Sequence, residues 1–441
     1  MPVGSGDTGT LAGNSLRVLS AQVVGNAGYF VSVLLLARAL PPGERGAVAF
    51  VTVTALVVST LASIGTADAT KVFAAQRPEA RPRLLANVVL VSAIGGVLGG
   101  LAAVAALTAL ADSRPDGVGS LELAAIAAGS VVGALGLAGA AFLHGCSRFR
   151  VYSRLLAFGP WLYAVLLAVM WVGWGLNIDR AAVAWVAAQA VPALLFCGAA
   201  ARLAGFGRPD LRLMAETVRY GVRAWLGGLA HLLNARVDQV LLGLLATQAA
   251  LGTYAVAVNA SEVLFYLPSA VGTALLPAVA RMGADSGVDR TLRVFRVVMI
   301  LTLAAVAVAA IIGPVLLPVV FGDNYDGSVE PFLLLLPSAL GFVASSVFSN
   351  ALLASGAPAL SSLGPVVSLI IGVTLDLILI PKHGASGAAI AASAALICGG
   401  IAAAVAYGGR SGLPPGALVP RRADVELLAS LAMRLAGARP S

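Results

Sequence analysis

About twelve runs of nineteen or more mostly apolar residues recur along this 441-residue chain, and they leave few solutions for its fold. They fall near 15–39, 46–71, 84–111, 120–143, 155–176 and 181–203 in the first half. In the second they fall near 218–245, 251–280, 293–320, 331–354, 362–380 and 387–407. Each is long enough to cross about 30 Å of hydrocarbon as a helix. Inside lipid every backbone N–H and C=O must be satisfied by the protein, so only helices or closed barrels can span it. The runs far exceed a barrel strand of roughly ten residues and do not alternate. Composition agrees: only 11% of residues are charged, against about 25% in soluble domains. The expected class is an all-α polytopic membrane protein.

The net charge of +8 would suggest nucleic acid in a soluble protein. Here the basic residues sit in short loops. If the N-terminus is cytoplasmic, 22 of the 28 Lys and Arg residues fall on the inner side. Arg38, Arg45, Arg114, Arg180 and Lys382 fall outside, and Arg236 lies within a span. An excess of inner positive charge orients bacterial inner-membrane proteins, so both termini are expected in the cytoplasm. Nucleic acid is not an expected partner. Cys146, Cys197 and Cys398 form no metal or disulfide spacing and read as small packing residues. The first run is too long for a signal-peptide core and lacks a small-residue cleavage site, so it is expected to remain as a helix.

The halves resemble each other. LLLARALPPGERGAVAF and VLLGLLATQAALGTYAV align their Leu-rich runs, with Gly46 and Gly252 at an offset of 206. Phe158–Pro160 and Leu363–Pro365 repeat at 205. Both copies begin on the same side, so the repeat is parallel, with a pseudo-twofold along the membrane normal. The expected organisation is an N-terminal lobe over 1–210, a C-terminal lobe over 211–410, and a cytoplasmic tail over 411–441. In the tail, Val425, Leu428, Leu431 and Leu435 share one helical face. It reads either as a helix on the inner leaflet or as a solvated tail.

An ionisable residue within a span costs about 2.5–3.5 kcal/mol or more and is a functional candidate. The run AHLLNARVDQVLLG is the most polar, with His231, Asn234, Arg236, Asp238 and Gln239. His231, Asn234 and Asp238 share a stripe, whereas Arg236 lies off it, so Arg236 and Asp238 should have different neighbours. Further candidates are Arg17 and Asn26 in the first run, Arg223, Asn259 with Glu262, Asn350 and Asp376. Asp68 and Lys71, three apart, could simply pair. These groups read as the lining of a hydrated cavity or as polar contacts between helices.

Two stretches carry a family resemblance. In VDQVLLGLLATQAALGTYAVAVNASEVLFYLPSAVGTALLPAVA, Asp238 precedes Leu242–Gly243, followed by Gly252, Tyr254, Ala257 and Pro277. The second stretch, SNALLASGAPALSSLGPVVSLIIGVTLDLILIPKHGASGAAIAASAA, carries Asn350, Leu352–Ala354, Gly356, Leu379–Pro381, Gly384 and Gly387–Ala389. The sequence resembles the polysaccharide-transporter, or oligosaccharide flippase, family of the multidrug/oligosaccharidyl-lipid/polysaccharide exporter superfamily. That resemblance implies about twelve transmembrane helices in two six-helix lobes, forming a V-shaped bundle with a central cavity. It implies transfer of an undecaprenyl-pyrophosphate-linked oligosaccharide from the inner to the outer leaflet. Arg236, Arg17 and Arg223 would hold the pyrophosphate, with Asn26, Asn259 and Asn350 as further substrate contacts. Asp238, Glu262 or Asp376 could bind H⁺ or Na⁺ and couple transport to an ion gradient. No cofactor or metal is expected; membrane lipids and other polysaccharide-assembly proteins are the expected neighbours.

Three other readings predict different features. A multidrug exporter of the same superfamily would favour an acidic, aromatic cavity, but only 6% of residues are aromatic. A lipid II flippase usually carries two further helices. A membrane-embedded glycan-assembly enzyme would need a large polar outer loop, and the longest here is FGDNYDGSVE. No phosphate-binding loop, HExxH or serine-nucleophile signature occurs.

Overall fold

In a computed structural model, residues 11–109, 117–280, 284–412, 415–419 and 424 are described, and all regular structure among them is helical. The α-helices run α1 Leu11–Ala39, α2 Pro42–Ala62, α3 Thr66–Gln76, α4 Arg81–Ala109, α5 Ser120–Gly145, α6 Phe149–Trp174 and α7 Ile178–Ala204. Then come α8 Leu211–Leu245, α9 Gln248–Ser261, α10 Tyr266–Ala280, α11 Ala284–Phe321, α12 Val329–Leu335, α13 Ser338–Ala354, α14 Pro358–Ser361 and α15 Leu363–Ser411. Among the described residues, nine helices are long and apolar enough to cross a membrane. A tenth appears if the pair Asp323–Leu335 and Ser338–Ala354, bent by 46°, is one span. The chain is a multi-pass membrane protein.

Several expected runs are interrupted. The run 46–71 breaks between α2 and α3, where Ile64 and Gly65 take left-handed φ values of 45° and 70°. Helical hydrogen bonding cannot pass two such residues. The run 251–280 passes through a 3₁₀ turn at Glu262–Phe265 before α10. Conversely, the runs 362–380 and 387–407 are continuous in α15 except at Gly384 (φ 53°, ψ −126°). A straight 49-residue helix would measure about 74 Å, more than twice the hydrocarbon thickness. It instead doubles back: the space a Cβ on Gly364 would occupy lies 2.8 Å from the Gly399 carbonyl oxygen.

The chain folds as two compact units, Met1–Ala255 and Val256–Ser441. The boundary expected at 210 lies inside the first. Among its described residues that unit shows two apolar cores. One gathers Phe73, Leu84, Leu85, Phe142, Leu143 and Phe196, and the other Leu36, Val48, Tyr163 and Leu167. In the second unit, Phe348 stacks between Phe295 and Tyr407, with ring centroids 4.7 and 5.2 Å apart. There Arg296 of α11 forms a buried ion pair with Asp424 at 2.6 Å. Arg296 also donates to the Ala417 carbonyl at 2.9 Å. The apolar face expected at Val425, Leu428, Leu431 and Leu435 lies outside the described residues.

The two glycines of the sequence repeat meet each other. A Cβ on Gly46 would lie 1.8 Å from the Gln248 carbonyl oxygen and 3.0 Å from the Gly252 nitrogen. A Cβ on Gly252 would lie 1.9 Å from the Pro42 carbonyl oxygen. Pro42 and Gln248 are also 206 apart, so the contact is reciprocal between equivalent positions. A local twofold produces this pattern, in which residue i meets j and j meets i.

Candidate functional site

The inner end of α8 is fastened before its polar middle is reached. Asp210 caps the helix, its Oδ1 accepting from the N–H groups of Arg212 and Leu213 at 3.0 and 3.1 Å. Buried Asn87 of α4 donates to the Asp210 carbonyl and accepts from its N–H, both at 2.9 Å. Arg83 reaches the Asp210 carboxylate at 3.2 Å. One turn on, Arg77 grips Glu216 with two hydrogen bonds of 2.8 and 2.6 Å. Gly221 then lies against the backbone of Gly65, where a Cβ would come within 2.6 Å of its carbonyl oxygen. The Leu213 N–H, ahead of the Arg212 N–H and Arg83, holds the Asp210 carboxyl below its ordinary range. The hydrogen bond from Arg77 does the same for Glu216.

Further along α8, the expected divergence of Arg236 and Asp238 is seen. Asp238 is 8% exposed, and its Oδ2 accepts from the fully buried Tyr254 hydroxyl of α9 at 2.6 Å. Its Oδ1 accepts from the Gln239 N–H at 2.7 Å. Arg236 is half-buried and donates to the Ala235 carbonyl at 3.0 Å. Asn234 donates back to Ala230 at 2.8 Å. Arg223 is exposed, and the His231 side chain lies outside the described residues. Asp238 is thus the acceptor that ties α9 to α8, a role its partner Tyr254 reveals only in three dimensions.

Arg17 is half-buried near the start of α1 and borders a cleft against α6, while Asn26 is exposed. Asp68 and Lys71 pair at 2.8 Å, as their spacing suggested. Arg45, assigned by charge counting to an outer loop, is only 3% exposed. Its Nη1 donates to the Gly252 carbonyl at 2.7 Å beside the paired glycines. This partner lies 207 residues away, and no local pattern could announce it.

The first unit holds Arg17 and Asn26 on α1, which packs mainly on α6, and Arg223, Arg236 and Asp238 on α8, which packs on α2 and α3. The second unit holds Asn259, Glu262, Asn350 and Asp376. Asn259 and Glu262 are half-buried, with Glu262 opening the 3₁₀ turn after α9. Asn350 of α13 donates to the Ser346 carbonyl at 2.8 Å and lies near Gly272 of α10. Asp376 is 2% exposed within the first arm of α15. Among the described residues no cluster of His, Cys, Asp and Glu could hold a metal ion.

Comparison with known proteins places this architecture. Residues 35–330 match the family described as polysaccharide biosynthesis protein. No curated protein matches the chain in sequence. The fold is shared with an inward-facing multidrug resistance MATE family transporter of the MOP superfamily, at TM-score 0.70 and 15% identity, over 90% of this chain and 98% of that one. It is also shared with the lipid II flippase MurJ in an inward closed conformation, at TM-score 0.75 and 10% identity, over 98% and 94%. A MOP superfamily transporter from Pyrococcus furiosus aligns at TM-score 0.60 and 15% identity, over 90% and 94%. At these identities the likeness is one of fold. The family match spans well over half the sequence, so the chain belongs to the polysaccharide biosynthesis protein family and carries the fold of MOP-superfamily transporters.

Proposed function

We propose that this protein is a flippase moving an undecaprenyl-pyrophosphate-linked oligosaccharide from the cytoplasmic to the outer leaflet of a bacterial inner membrane. Transport would proceed by alternating access of two six-helix lobes, with both termini in the cytoplasm. Counting α8, both arms of α15 and the bent α12–α13 pair as spans brings the helices to the twelve this reading needs. The observation that carries it is the family match over 35–330. In a pathway that builds polysaccharide, a chain made almost wholly of membrane helices suits the step that crosses the membrane. The MOP fold supports transport over catalysis.

The residues have distinct parts. Arg236, with Arg17 and Arg223, supplies guanidinium groups for a pyrophosphate through charge-assisted hydrogen bonds. Asn26, Asn259 and Asn350 are the neutral polar contacts. Glu262 and Asp376 are the carboxylates assigned to H⁺ or Na⁺ coupling, while Asp238 is already engaged by Tyr254. Deleting the gene should remove surface polysaccharide and leave lipid-linked repeat units on the inner leaflet. Arg236→Gln should reproduce the accumulation, and Arg236→Lys should partly relieve it. Normal surface polysaccharide in the deletion strain would refute the reading.

A further inference from the structure

A cleft of about 370 Å³ opens between α1 and α6 at the end the charge count assigns to the cytoplasm. Ligand pockets commonly begin at about 300 Å³. On α1 it is bordered by Arg17, Ser20, Ala21 and Val24; on α6 by Arg150, Ser153, Arg154 and Ala157. Each set is spaced i, i+3, i+4, i+7, so each is one face of its helix. The two helices run parallel and in register, and each face begins with an arginine followed one turn later by a serine.

The helices meet just beyond the cleft. A Cβ on Gly25 would lie 3.6 Å from the Ala157 Cα. Trp161 donates its indole N–H to the Val24 carbonyl at 2.9 Å. The cleft is therefore a notch closed toward the membrane centre. None of the described residues lining it is acidic. Three guanidinium groups around one small space suit a phosphate, which accepts charge-assisted hydrogen bonds from them. Ser153 is 7% exposed, and its Oγ is buried without a hydrogen-bond partner. A ligand oxygen at this spot would give that hydroxyl a partner. Beside the notch, Val23 and Phe158 are exposed, which suits an apolar chain lying alongside.

We propose that this notch binds the phosphate group of an anionic amphiphile, with Arg17, Arg150 and Arg154 as the cationic clamp and Ser153 as a hydroxyl donor. If the flippase reading holds, on which this last step rests, the notch is where the lipid-linked pyrophosphate first docks from the inner leaflet. Arg150 and Arg154 thereby gain a binding part beyond orienting the chain.

The test uses the full-length protein in nanodiscs of zwitterionic lipid. Farnesyl pyrophosphate, inorganic pyrophosphate and phosphatidylglycerol are titrated separately. Arg150→Gln/Arg154→Gln should weaken farnesyl pyrophosphate binding at least tenfold, and Arg150→Lys/Arg154→Lys should keep most of it. Ser153→Ala should weaken binding severalfold with an unchanged unfolding midpoint. Binding of inorganic pyrophosphate as tight as that of the farnesyl compound would overturn the amphiphile. Preference for phosphatidylglycerol would keep the phosphate site and assign it to a structural lipid instead of the cargo. Affinities for all three probes unmoved by the arginine and serine substitutions would overturn the site. These measurements stand apart from polysaccharide export, so a normal deletion strain with a working notch would sink the flippase reading alone.

Discussion

Gly46→Ala is the sharpest perturbation the structure offers. The new Cβ would lie 1.8 Å from the Gln248 carbonyl oxygen and 2.7 Å from its carbon. Ordinary carbon-to-carbonyl contacts begin near about 3.3 Å, so the start of α9 must retreat by about 1.5 Å. Both surfaces are backbone, and neither has a rotamer to give. Overpacking of this kind costs about 1–3 kcal/mol. The retreat also stretches the 2.7 Å hydrogen bond from Arg45 to Gly252, and bonds to charged groups contribute about 1.5–3 kcal/mol. A loss of about 3 kcal/mol follows. Gly252→Ala meets the Pro42 carbonyl at 1.9 Å and should cost about the same. One retreat relieves both clashes, so the double variant should cost clearly less than the sum. Gly43→Ala is the control, because nothing lies within 4 Å of its Cβ position. Thermal unfolding of the four variants in one detergent reads all of this. Gly46→Ala as stable as the Gly43 control, or strict additivity in the double variant, would refute the reciprocal contact.

Tyr254→Phe and Asp238→Asn should show a coupling of about 1.5–3 kcal/mol in a double-mutant cycle, and zero coupling would mean the 2.6 Å bond is idle. Removing one partner of the buried Arg296–Asp424 pair, as in Asp424→Ala, should cost about 3–5 kcal/mol; an unchanged unfolding midpoint would count against the pair. Asp210 and Glu216 are both held below their ordinary values, so the folded protein binds fewer protons there than the unfolded chain. Their contribution is present above about pH 4 and fades as pH falls through the folded values. Asp210→Asn/Glu216→Gln should therefore show a shallower loss of unfolding midpoint on acidification than the parent, and parallel slopes would refute the assignment.

Sequence alone made the spans legible, because crossing hydrocarbon depends on a local sum of side-chain transfer energies. The breaks were not legible. Ile64 has nothing in its side chain that favours φ 45°. Gly384 could be seen as a glycine but not as the turn of a hairpin. The Asp68–Lys71 pair and the different hydrogen-bond partners of Arg236 and Asp238 were readable because both follow from helical spacing. The burial of Arg45 was not legible because the carbonyl it bonds is remote in sequence. The stripes at Arg17 and Arg150 are each visible on a helical wheel, yet their convergence depends on α1 and α6 packing in parallel register. The offset of 206 that joined Gly46 to Gly252 was visible as likeness, and only the folded chain turns it into contact.

The bond between Asn87 and Asp210 has a consequence for how the protein is made. A ribosome adds about 5–20 residues per second. The 123 residues between the partners therefore take about 6–25 seconds to appear. Through that interval Asn87 has no Asp210 to meet, although α5, α6 and α7 are already emerging. The early helices can pack on one another but lack this tie until the start of α8 arrives, so a nascent chain halted just after α7 should hold a buried Asn87 with its bonds to Asp210 still unmade.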